Sequence, residues 1–156
     1  MKNFKYLIVV VLIAVVTSAS AQKINFTGNY QIDLSRTDFG KAPHFVLPKK
    51  ISINQGKDKL IISRGQLNKE LLEEPPVVDT LGYDSKQFTK ISPSGVKTVS
   101  TLRWPDNFSF TIHRQSKSAT VETWTLEDSG KTLVLRRDVV QGDGFKYTII
   151  GYYSKL

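Results

Sequence analysis

Arg114, Glu122 and Arg137 each sit on the apolar side of an alternating segment. In Phe108–Gln115, Phe108, Phe110, Ile112 and Arg114 share one side, against Ser109, Thr111, His113 and Gln115. Glu122 shares a side with Trp124 and Leu126, and Arg137 shares one with Leu133, Leu135 and Val139. Phe145, Tyr147, Ile149, Gly151 and Tyr153 form a fourth such row. These rows are expected to face inward. An inward charge is costly unless it is paired or meets a ligand or water. Two readings follow. Either the charges line a cavity and orient its occupant, or Glu122 simply pairs with an Arg or the charges sit in solvent at a barrel mouth. The first reading makes Phe110, Ile112, Arg114, Glu122, Trp124, Leu135, Arg137, Tyr147 and Tyr153 the candidate ligand contacts.

Other chemistry finds little support. The chain has no Cys, so thiol catalysis, Cys zinc sites and disulfides are excluded. Its two histidines, His44 and His113, stand apart in sequence; one lies in the Pro-flanked Ala42-Pro43-His44 loop, the other on a polar strand face. Glu70, Glu73 and Glu74 lie beside Pro75-Pro76, where a solvated loop is the plain expectation. No nucleophile elbow, P-loop or dinucleotide fingerprint occurs, so no cofactor or metal is expected. A small enzyme acting on a lipophile would have to use Glu122 or His113 as acid or base.

The elements that hold these residues are strands. Alternation and turn residues predict Phe26–Leu34, Lys50–Gln55, Lys59–Gly65, Val77–Tyr83, Gln87–Ile91, Val96–Trp104, Phe108–Gln115, Thr120–Glu127, Thr132–Gln141 and Phe145–Ser154. Short turns such as Gly56-Lys57-Asp58, Pro93-Ser94-Gly95, Asp128-Ser129-Gly130 and Gly142-Asp143-Gly144 separate them. They carry the residues tight hairpins need. Gln66–Glu74 reads as a helical turn or loop ended by the two prolines. The class is all-β, an antiparallel up-and-down meander of about 8–10 strands. Closure into a barrel removes its two exposed edges.

The first 21 residues read as a signal peptide. Lys2 and Lys5 precede the apolar run Leu7 to Val16, and Ala19-Ser20-Ala21 suits a signal peptidase. The run is too short to span a bilayer. Cleavage leaves Gln22 to Leu156 as a single domain and lowers the net charge from +8 to +6. Export without any Cys leans toward a bacterial periplasm or exterior. The positive balance is scattered, with Lys49-Lys50 and Arg136-Arg137 its longest runs, so no nucleic-acid partner is expected. Nothing here sets an oligomeric state.

The opening Phe26-Thr27-Gly28-Asn29-Tyr30-Gln31-Ile32-Asp33-Leu34, followed by Ser35-Arg36-Thr37-Asp38-Phe39-Gly40, resembles that of bacterial exported lipocalin-like domains. The shared pattern is a Gly, any residue, then an aromatic, and soon a small residue with Phe-Gly. Trp124-Thr125-Leu126 before Gly130-Lys131-Thr132-Leu133 is similar too. The resemblance covers most of Phe26 to Lys155. In lipocalins the aromatic is usually Trp, packed under an Arg or Lys from the last strands. Here it is Tyr30, with Arg136 or Arg137 as candidate partner. The resemblance implies a calycin-like binding barrel and hands over no catalytic residue. The first expectation is therefore an exported protein holding a small apolar or amphipathic molecule. A filled barrel that binds protein or glycan through its Asp38–Pro48 and Gln66–Pro76 loops is the alternative.

Overall fold

A computed structural model describes residues 24–92 and 94–156. The expected signal peptide, 1–21, lies outside the described residues, as does Pro93. Ten strands follow one another: β1 Gly28–Ile32, β2 Lys50–Gln55, β3 Lys59–Gly65, β4 Val77–Gly82, β5 Phe88–Ile91, β6 Lys97–Arg103, β7 Ser109–Gln115, β8 Ala119–Glu127, β9 Thr132–Val140 and β10 Lys146–Lys155. Each of the ten predicted strands is present, with ends shifted by a residue or two. No helix among the described residues is long and apolar enough to cross a membrane.

Every strand pairs antiparallel with its sequence neighbour except β4 with β5, and β1 also pairs with β10. The sheet therefore curls into a nearly closed barrel. Full closure was expected, but no backbone ladder joins β4 to β5. One side chain spans the gap: Lys90 Nζ donates to the Val78 carbonyl at 3.4 Å. A lysine at an open edge blocks strand addition by another chain.

Turn chemistry sets the hairpins. Asp106 accepts the Phe108 and Ser109 amides, both at 2.7 Å, and so bends the chain between β6 and β7. Gly144 adopts φ +85, as the β9–β10 turn requires, and its amide donates to the Gln141 carbonyl. The Gln66–Glu74 segment forms no helix. It doubles back through a Leu67–Glu73 bridge, and Asn68 Oδ1 accepts the Glu70 and Leu72 amides. An asparagine that satisfies two nearby amides competes with a helical turn.

The barrel is filled at one end. Phe110 packs on Phe26, Trp104 and Trp124, with ring centroids 4.8, 5.3 and 5.4 Å away. The leading segment closes this end, with the Ile24 amide donating to the Asn107 carbonyl. Tyr30 is fully buried, and its hydroxyl donates to the Phe26 carbonyl at 2.8 Å. The cation over its ring is Lys155, 5.9 Å from the centroid, which replaces the expected Arg136 or Arg137. Arg136 is engaged by Asp138 on the outer face, and Arg137 points into the barrel. The last strand thus supplies the cation, but from its final residues, where β10 lies beside β1.

The alternating rows do point inward, with two corrections. Phe108 is 68% exposed and Phe145 is 46% exposed. Both precede the first residue of their strands. The inward and outward alternation begins only once the ladder fixes the backbone.

Candidate functional site

The upper half of the barrel is an open cup of about 640 Å³. Its floor is a layer of five buried or nearly buried charges. Arg64 stands on β3, Asp79 on β4, Arg114 on β7, Glu122 on β8 and Arg137 on β9. Strand register explains why they meet. Glu122 lies directly across from Arg137, and Ser100 lies across from Arg114. Period-two alternation sends all of them inward at a similar height.

The charges interlock. Arg64 donates to Asp79 Oδ2 through one terminal nitrogen and to Glu122 Oε2, at 2.9 Å, through the other. Arg137 donates to Glu122 Oε1 at 2.9 Å. Arg114 donates to Asp79 Oδ2 at 2.8 Å and to the Ser100 hydroxyl at 3.1 Å, and lies 3.5 Å from Glu122 Oε2. Burial alone would raise the Glu122 pKa, but the guanidiniums of Arg64, Arg137 and Arg114 overcome it and hold the carboxyl at about 2. Asp79 behaves alike: burial pushes it up, and Arg64 and Arg114 bring it below the usual carboxylate range. Burial lowers the pKa of Arg64, opposed by Glu122 and Asp79. Glu122 is therefore held as a carboxylate near neutral pH, the form that pairs with the three arginines.

Three guanidiniums against two carboxylates leave the floor with one net positive charge. Hydrogen-bonding capacity is also left over. Among the described residues, the Nε groups of Arg64 and Arg137 are buried without a partner, as are the Trp124 indole N–H and the Tyr153 hydroxyl. Arg64 lies over the Trp124 ring at 5.4 Å, which couples the floor to the aromatic plug beneath it. Burial raises the Tyr153 pKa, so this hydroxyl stays protonated and available as a donor.

The nine candidates from the sequence divide between two layers. Arg114, Glu122, Arg137 and Tyr147 line the cup. Phe110, Ile112, Trp124, Leu135 and Tyr153 lie in the sealed core and do not line it. The two readings of the inward charges also merge. Glu122 pairs with arginines, and the paired cluster is itself the cavity floor. Sequence reasoning missed Arg64 and Asp79. Arg64 alternates with Leu60 and Ile62, and Asp79 with Leu81, the same charge-on-an-apolar-face signal that marked Glu122. His113 is exposed on the outer face, and His44 stacks on Phe39 at 4.3 Å. Glu70, Glu73 and Glu74 are exposed, and Glu73 pairs with Lys49 at 2.8 Å. No cluster of three potential metal-ligating side chains occurs among the described residues.

Solved structures share this architecture. A Schistosoma mansoni fatty acid binding protein in complex with arachidonic acid superposes with a TM-score of 0.58, at 16% identity, over 84% of this chain and 96% of that one. The fold is a calycin-type β-barrel. A zebrafish ileal bile acid-binding protein complexed with cholic acid gives 0.56 at 14% identity, over 84% and 98% of the two chains. A point mutant of the fluorescent protein UnaG gives 0.55 at 17% identity, over 84% and 96%. No protein-family profile matches the sequence, and no curated protein does. At these identities the likeness establishes the barrel, and the function must come from the cup itself.

Proposed function

We propose that this calycin-type barrel is an exported carrier of a small amphipathic carboxylate. The acid group docks on the Arg114–Arg137 floor and the apolar body fills the cup. The observation that carries this reading is a cavity of about 640 Å³ above a buried floor with one uncompensated positive charge. That volume lies in the range of small-molecule sites. Buried ion pairs are poor stabilisers, and apolar residues of equal volume would serve stability as well or better. A floor of five charges therefore points to recognition of a charge. Two of the similar barrels were solved in complex with acids, arachidonic and cholic, which supports the class of occupant. Export rests on the signal-like segment 1–21. A filled barrel acting through its loops accounts for the aromatic plug, but leaves the cup without a purpose.

Native mass spectrometry of the protein purified from the cell envelope and medium tests the proposal. The expected spectrum shows an adduct that solvent extraction removes and that proves to be an organic acid. An Arg114→Met variant is expected to bind octadecanoic acid about tenfold more weakly or worse, because the floor loses its net charge. A bare mass, together with no measurable binding of octadecanoic or cholic acid, refutes it.

A further inference from the structure

The walls of the cup differ in chemistry from one side to the other. Thr98 on β6, Thr120 on β8 and Ser118 in the turn before β8 present hydroxyls on one arc. These three hydroxyls have no protein hydrogen bond among the described residues. Beside this arc the wall turns apolar with Val139 on β9 and Tyr147 on β10, and Val46 and Val77 also line the cup. The boundary is sharp: Thr120 on β8 lies directly opposite Val139 on β9, which in turn lies opposite Tyr147 on β10. Below them Arg64 keeps a buried Nε without a partner among the described residues, so unmet hydrogen-bonding capacity continues from wall to floor.

Water meets these groups whenever no ligand is bound. An occupant expels that water. A plain acyl chain would leave three hydroxyls facing methylenes, and each polar group stripped of water without replacement weakens binding by about tenfold. A molecule with hydroxyls on one side restores those bonds and lays its bare side on the valines. A site built to hydrogen-bond its ligand rejects the analogue that lacks the partner group.

We infer that the occupant is an amphiphilic carboxylate hydroxylated along one side, read by Thr98, Ser118 and Thr120. This rests on the carrier reading above and narrows it. Ser100 and Ser92 fall outside the readout, because Ser100 accepts from Arg114, and Ser92 accepts the Val96 amide and contacts Ser94.

Two matched pairs of acids test the inference by direct titration: 9,10-dihydroxyoctadecanoic against octadecanoic acid, and cholic against 5β-cholanic acid. Within each pair the carboxylate is the same and only the hydroxyls differ. The wild type is expected to prefer the hydroxylated member at least about tenfold in one pair or both. In the Thr98→Val/Thr120→Val double variant, which keeps side-chain volume, that ratio is expected to fall toward one, chiefly because the plain acid binds more tightly once its chain no longer strips two hydroxyls of water. Equal affinities within both pairs overturn the inference and leave the carrier reading standing, as does a preference the double variant does not reduce. If none of the four acids binds, the carrier reading falls and takes this inference with it.

Discussion

Replacing Glu122 with Gln keeps the shape of the side chain and removes the charge that three guanidiniums share. Arg64 and Arg137, each 2.9 Å from this carboxylate, lose their charge-assisted partner, and Arg114 at 3.5 Å loses a neighbour. Breaking a buried ion pair from one side costs about 3–5 kcal/mol. The pKa leads to a similar figure. A carboxylate ordinarily near 4.5 and held at about 2 contributes ~3 kcal/mol at neutral pH. Because the folded pKa is depressed, this contribution is complete above about pH 4.5 and fades as pH falls through about 2. Urea unfolding followed by tryptophan emission reads it. With a slope of about 2 kcal/mol per molar, Glu122→Gln is expected to move the midpoint down by roughly 1.5–2.5 M at pH 7. The gap between wild type and variant is expected to shrink to ~1 kcal/mol at pH 3, where the wild-type carboxylate is losing its advantage. A gap under ~1 kcal/mol at pH 7 would refute the account, and so would one that stays constant from pH 7 to pH 3.

Two further outcomes concern the plug that supports the floor. Tyr30→Phe removes the hydroxyl that donates to the Phe26 carbonyl and is expected to cost about 1–2 kcal/mol in the same urea assay, and a neutral result would show that this bond is dispensable. Gly151→Ala sets a methyl 2.8 Å from Tyr153 Cε2 and 3.0 Å from Leu47 Cδ1, and overpacking there is expected to cost about 1–3 kcal/mol. An unchanged midpoint would mean that Tyr153 and Leu47 have room to yield.

Much of this architecture was legible in the residues themselves. Alternation fixes which side of a strand is apolar, and Asp, Asn and Gly at the turns fix where strands end, so all ten strands could be read without a structure. The same alternation marked Glu122, Arg114 and Arg137 as charges on inward faces. What alternation cannot supply is height along the barrel. Phe110 and Arg114 share a face four residues apart, yet one belongs to the plug and the other to the floor. Nor can it supply partners across the barrel. Arg64 and Glu122 are 58 residues apart and meet only because β3 and β8 face each other over the cavity. The cation over Tyr30, the break between β4 and β5 and the hydroxyl arc beside Val139 have the same origin. They depend on which strands become neighbours and in what register, and long-range pairing sets both. Local composition determined that this chain folds into a β-barrel with a few inward charges. Only the tertiary structure decided that those charges form one layer, and that the barrel above it is hollow.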